Sequence, residues 1–253
     1  MKPSPERSPR VEAPPLSALI LAGGKSSRMG QDKARLAVNG VPMLRRVYDV
    51  AIQCTESVFI ITPWPERYHE ILPASCKWIV EPSSHVSRSS SQGSLPQGPL
   101  VGFAHGLKTL QKLGQLTPWV MLLACDLPYL NADLLLKWAE GLAEADVEAI
   151  AALPRHPQPL KKSLHPEHDK PTKGHREDTY KENTCIEITN KQWEPLCGFY
   201  RASCLSRLEP FILGGGRSFQ RWLQNEHVEA LEVGDQFPPH SLLNCNTLDD
   251  VSY

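Results

Sequence analysis

The fourteen residues Leu21-Ala-Gly-Gly-Lys-Ser-Ser-Arg-Met-Gly-Gln-Asp-Lys-Ala34 carry the side-chain types that phosphate chemistry needs. Gly23 and Gly24 lack a Cβ, so a bound base and its phosphates can approach the backbone closely. Arg28 offers a planar bidentate fork to phosphate oxygens, and Lys33 a compact point charge. A Walker A loop is excluded, because its first glycine would fall at Leu19. The dinucleotide fingerprint fails too, with Lys at 25 and Ser at 27. A glycine-rich turn with solvated basic residues is the better explanation of Gly23-Gly24-Lys25 taken alone; the whole string is far more specific. The second locus is Cys125-Asp126-Leu127-Pro128, directly after an apolar run. A carboxylate there, pinned by a following proline, can hold Mg²⁺ together with substrate phosphates. A strand-capping Asp-x-Pro turn has the same appearance, and the pairing with the first loop favours the metal. No Gly-x-Ser-x-Gly elbow or other nucleophilic signature is present. Phosphoryl-type transfer would need no such group, since it runs on positioning and charge stabilisation.

Both loci need a scaffold that brings their loops together. Leu16–Ala22 is an apolar run stopped by glycine and predicts a buried strand. Further strands are predicted at 58–61, 78–80, 119–124, 149–153, 196–200 and 228–233. Residues 36–41 predict a small hairpin turning at Asn39-Gly40. Helices are predicted from Pro42, over 101–113, after an Asn131 N-cap, near 203–213 and over 219–224. Strands alternate with helices through the first 150 residues, so the expected fold is α/β and three-layered, with a mostly parallel central sheet. Ligands then bind beyond the carboxyl ends of the strands. The loops 23–35, 62–66, 81–100 and 125–128 should converge there.

The composition fits such a fold. With 27 Lys+Arg against 28 Asp+Glu the net charge is −1, which gives no basis for nucleic-acid binding. No run approaches the roughly 20 apolar residues of a membrane span. The start of the chain has no apolar signal core, and seven scattered cysteines without a CxxC pair fit a reducing cytoplasm. Prolines cluster in 1–15, read as a disordered tail, and in 154–183, read as a polar insertion. Seven serines in the fifteen residues 83–97 mark a flexible loop. Removing tail and insertion leaves 208 residues, so 16–253 is expected to form a single folded domain.

Four strings, taken together and in order, resemble the molybdenum cofactor guanylyltransferases. They are Leu-Ala-Gly-Gly-x-Ser-x-Arg-Met-Gly-x-Asp-Lys, Gly98-Pro-Leu-Val-Gly, Cys-Asp-Leu-Pro and Asn244-Cys-Asn246-Thr, and the matches span about residues 17 to 250. The resemblance implies a Rossmann-like nucleotidyltransferase that joins GMP from GTP to molybdopterin with Mg²⁺, releasing pyrophosphate. It implies that Leu21, Ala22, Gly23 and Gly24 line the guanine and ribose site. Lys33 and Arg28 would meet the triphosphate, and Asp126 would contact nucleotide and Mg²⁺. Asn244 and Asn246 would lie near the active centre. The nucleotide-contacting Asp expected after the third strand is absent from Val80-Glu81-Pro82. Either Glu81 takes that contact one position early, or the contact is missing. Family analogy also implies transient docking with other proteins of cofactor synthesis.

Other residues have plainer readings. The four histidines of the insertion are irregularly spaced and read as a solvated loop, the alternative being a flap over the pterin site. Trp119 and Trp138 fall at core periodicity. Trp64 between two prolines either caps a turn or stacks on a ring. Arg217, after Gly214-Gly-Gly, either sits in a flexible break or contacts an anionic substrate. The rivals to guanylyl transfer are a transferase of the same fold using CTP or another phosphorylated acceptor, and a nucleotide-binding module without turnover.

Overall fold

A computed structural model describes residues 14–23, 32–82, 98–155, 192–234 and 236–245. In chain order the strands are β1 (Leu16–Leu21), β2 (Ala37–Val38), β3 (Val41–Pro42), β4 (Val58–Thr62), β5 (Lys77–Val80), β6 (Trp119–Ala124), β7 (Ala151–Pro154), β8 (Cys197–Arg201) and β9 (Val228–Leu231). The helices are α1 (Met43–Cys54), α2 (Pro99–Lys112), α3 (Ala132–Gly141), α4 (Leu205–Leu213) and α5 (Phe219–Leu223). Single 3₁₀ turns form at Lys33–Arg35, Pro65–Arg67, Ala202–Cys204 and Pro239–Leu242.

Seven strands make one sheet in the order β5-β4-β1-β6-β8-β7-β9. The pairs β5–β4, β4–β1, β1–β6 and β7–β9 are parallel, whereas β8 runs antiparallel to both β6 and β7. The strands are apolar on both faces, as a sheet covered by helices on both sides requires. Ala18, Ile20, Ile60, Met121 and Leu123 face the layer of α1 and α3. Leu19, Phe59, Ile61, Val120 and Leu122 face α2, α4 and α5. The fold is therefore the three-layered α/β arrangement expected. Trp119 and Trp138 are both buried in it.

Local chemistry sets the element ends. Asn39 and Gly40 both adopt positive φ, 52° and 78°, which closes the β2–β3 hairpin. Asn131 caps α3 by accepting from the Leu134 N–H at 3.2 Å. Gly106 lets α2 lie tight on the sheet, since a Cβ there would stand 2.5 Å from Ile61 Cδ1. Two boundaries differ from expectation. The predicted helix at 203–213 starts with the 3₁₀ turn, and α4 proper begins at Leu205. Pro154 closes β7 instead of opening the insertion; at a strand end its missing N–H costs nothing, and its carbonyl accepts from the Glu194 N–H at 2.9 Å. Residues 156–183 of the insertion, most of the tail (1–13) and the loop 83–97 lie outside the described residues.

The chain runs outward from β1 to β4 and β5, then returns through α2 to β6 on the other side of β1. This reversal makes the carboxyl ends of β1 and β6 the switch point where α/β sheets bind ligands.

Candidate active site

Leu21 of β1 lies opposite Ala124 of β6, so the two loops leave the sheet side by side. The Cys125 N–H still donates to the Leu21 carbonyl at 3.2 Å, holding Asp126 beside the start of the glycine loop. A cavity of about 260 Å³ opens there, lined among others by Leu21, Gly23, Asp32, Lys33, Pro99 and Asp126. Of the loops expected to converge there, 23–35 contributes Gly23, Asp32, Lys33 and Ala34, 81–100 contributes Pro99, and 125–128 contributes Cys125 and Asp126. Loop 62–66 contributes no lining residue and packs behind Gly23, where a Cβ would lie 3.1 Å from Pro63 Cδ.

Lys33 and Asp126 face each other across this cavity, with Nζ 3.7 Å from Oδ2 and each side chain about a quarter exposed (24% and 22%). Burial raises the Asp126 carboxyl above its ordinary range, and the Lys33 ammonium offsets part of that rise. The Cys125 thiol is driven up further, by burial first and then by the carboxylates of Asp126 and Asp32, so it stays a neutral packing group. Asp126 is also fixed from behind, its carbonyl accepting from the Cys245 N–H at 3.0 Å.

Lys33 is aimed by the 3₁₀ turn it opens. Asp32 caps that turn, one carboxylate oxygen accepting from the Ala34 N–H at 3.1 Å and the other from the Tyr68 hydroxyl at 2.8 Å. Neither Asp32 nor Tyr68 stands out as a site residue in the sequence. Asp32 carries a legible signal, an Asp placed to cap the turn that presents Lys33; Tyr68 has none, because its contact spans 36 positions.

The remaining sequence-predicted residues fall into three groups. Leu21 and Gly23 reach the cavity, while Ala22 is fully buried and bonded through its N–H to the Ile61 carbonyl at 2.9 Å. Strand alternation turns its side chain into the core, so it serves the site only through backbone. Glu81 lies beside Leu21 under α2: a Cβ on Gly102 would meet its Oε1 at 2.2 Å and Leu21 Cδ2 at 3.2 Å. Partial burial raises its carboxyl. Asn244 is held near Asp126 by its neighbour Cys245, and its amide lies 3.5 Å from the buried Glu194 carboxylate, a residue the sequence did not single out. Arg217 is directed elsewhere. Its guanidinium donates to the carbonyls of Ile212 and Gly216 at 2.8 and 2.7 Å, capping the end of α4. Trp64 carries the Arg67 guanidinium 4.1 Å from its ring centroid, a turn-capping arrangement. Gly24, Arg28 and Asn246 lie outside the described residues.

Among the described residues no cluster of three His, Cys, Asp or Glu side chains could cage a metal. Mg²⁺ does not require one, since it keeps waters and takes phosphate oxygens beside one or two carboxylates. A partly exposed carboxylate facing a cavity beside a cation fits that mode.

The model of the MobA-like NTP transferase domain matches residues 18–230. The chain belongs to that family. It is 42% identical to a probable molybdenum cofactor guanylyltransferase of Nostoc sp., over 94% of this chain and 89% of that protein. It is 34% identical to one of Synechococcus elongatus, over 92% and 95%. The molybdopterin-guanine dinucleotide biosynthesis protein A of Archaeoglobus fulgidus shares the fold with a TM-score of 0.60 at 18% identity, covering 93% and 95%. As a MobA-like transferase the chain is a nucleotidyltransferase, and its relatives place such transfer in molybdenum cofactor biosynthesis. No helix among the described residues is long and apolar enough to cross a membrane.

Proposed function

We propose that the protein transfers GMP from GTP to the phosphate of molybdopterin and releases pyrophosphate. The observation that carries this reading is the Lys33–Asp126 pair facing one cavity at the β1/β6 switch point. Leu21 and Gly23 line the part of the cavity against which guanine and ribose can lie, with Glu81 beside Leu21. Lys33 sits where a triphosphate crossing the cavity would pass, and its ammonium offsets charge developing on the oxygens towards the leaving pyrophosphate. Asp126 would hold Mg²⁺, which supplies charge neutralisation and alignment of the phosphate oxygens when bound. An oxygen of the molybdopterin phosphate attacks the α-phosphorus in line, a new P–O bond forms, and the α–β bridging P–O bond breaks with its electrons leaving on pyrophosphate. No protein nucleophile is required. Cytoplasmic location and transient docking with other cofactor-assembly proteins belong to the same reading.

The test is incubation with Mg²⁺ and GTP, CTP or ATP in turn, with and without molybdopterin, followed by product mass. A pterin–GMP adduct from GTP alone is the expected outcome. Transfer from CTP would replace the donor assignment, and tight nucleotide binding without product would replace the enzyme by a binding module.

A further inference from the structure

The turn that presents Lys33 is tied to a second turn which touches no part of the cavity. Tyr68 is completely buried, and its hydroxyl donates to Asp32 Oδ2 at 2.8 Å. The other oxygen of Asp32 receives the Ala34 N–H, so the carboxylate is committed on both sides. Two further contacts join the same turns: Arg35 donates to the Arg67 carbonyl, and its guanidinium lies 3.5 Å from Glu70 Oε2. The Tyr68 backbone is itself locked, its N–H donating to Pro65 and its carbonyl accepting from Ile71 and Leu72. A rigid turn at 65–72 therefore fixes the residue that immediately precedes Lys33. Burial and the Asp32 carboxylate both push the Tyr68 phenol well above its usual range, which keeps it a donor at every physiological pH.

We propose that Tyr68 is a positioning residue for nucleotidyl transfer, acting through Asp32 to hold the Lys33 ammonium opposite Asp126. The turn is anchored through Ala34, which is buried in the core, while the Lys33 side chain leaves it towards the cavity about a quarter exposed. The hydrogen bond from buried Tyr68 to a charged acceptor holds the carboxylate that caps this turn, and with it the direction in which Lys33 leaves. A misplacement of about 1 Å at a phosphate contact costs on the order of 100-fold in rate.

This rests on the proposed role of Lys33, and the experiment separates the two. Turnover with GTP and molybdopterin, and Mg-GTP affinity by calorimetry, are measured for wild type, Tyr68→Phe, Lys33→Ala and the double variant. Tyr68→Phe keeps the ring and removes only the hydroxyl. It should lower kcat/KM about 10- to 100-fold, with melting temperature shifted by only a few degrees. In the Lys33→Ala background the same change should alter turnover, or affinity where turnover is undetectable, by less than about two-fold. An equal loss in both backgrounds, or no loss in wild type, overturns the positioning role and leaves the Lys33 assignment standing. Near-normal behaviour of Lys33→Ala would instead overturn that assignment itself.

Discussion

The two halves of the sheet finish in opposite ways. In the parallel half, β1 and β6 lead into Gly23, which has no side chain, and Asp126, whose carboxylate is charged, and both residues line a cavity. In the half built from β8, β7 and β9, aromatic rings close over the strands. Tyr200 lies 4.7 Å from Phe103 and stacks on Trp222 at 6.1 Å and 15°, with Phe219 beside them, and its hydroxyl is spent on the Pro195 carbonyl at 2.7 Å. The second half begins at β8, which runs antiparallel to both β6 and β7. One half is organised to leave polar groups accessible at its rim, and the other to seal them. Substitutions in the first should therefore move kinetics, and substitutions in the second should move stability.

The largest separation should come from Trp222→Ala. Emptying a buried indole site costs about 3–5 kcal/mol, read by denaturant unfolding, while turnover per folded molecule stays near wild type. A fall in turnover per folded molecule as large as the loss of stability would erase the contrast. A finer comparison lies within α2, where Gly106 and Gly102 stand one turn apart. Gly106→Ala drives a methyl towards Ile61 and Leu19, at 2.5 and 2.9 Å, and should cost about 1–3 kcal/mol with KM for GTP unchanged. Gly102→Ala meets the movable end of Glu81 first, so stability should change little while KM for GTP rises about ten-fold. Equal effects of the two alanines on KM would show that Glu81 does not border the nucleotide.

The smallest effect concerns pH. The Glu81 carboxyl is raised by burial in the folded protein. Folding thus favours its protonated form, and that contribution is complete below the ordinary carboxyl pKa and is lost as pH rises through the folded value. Glu81→Gln should accordingly stabilise the protein at neutral pH, and the gain should shrink on acidification, as melting curves across that window will show. A gain that grows towards low pH would mean the carboxylate is held by an unseen cation instead.

Much of this division is legible in the chain. The apolar runs 16–22 and 119–124, each followed by a chemically distinctive residue, announce two buried strands with functional loops, and the Asn39-Gly40 turn and the Asn131 cap fall where their residue types demand. Strand direction is not legible: nothing in Cys197–Arg201 tells that it runs against its neighbours, because an apolar strand reads the same either way. Pro154 misleads for a related reason, since proline signals a loop except at a strand end whose N–H needs no partner. The bonds Tyr68–Asp32 and Asn244–Glu194 join positions 36 and 50 apart. Only the folded sheet brings them together, and Arg217 shows the converse, a basic residue after glycines that folding assigns to a helix end.

The central claim is that Lys33 and Asp126 work on one substrate across one cavity. It is tested most directly by measuring GMP transfer with purified Lys33→Ala and Asp126→Ala beside their unfolding curves. Each should lose about 10²- to 10³-fold in turnover while unfolding within a few degrees of wild type. Near-normal transfer by both variants would contradict the account.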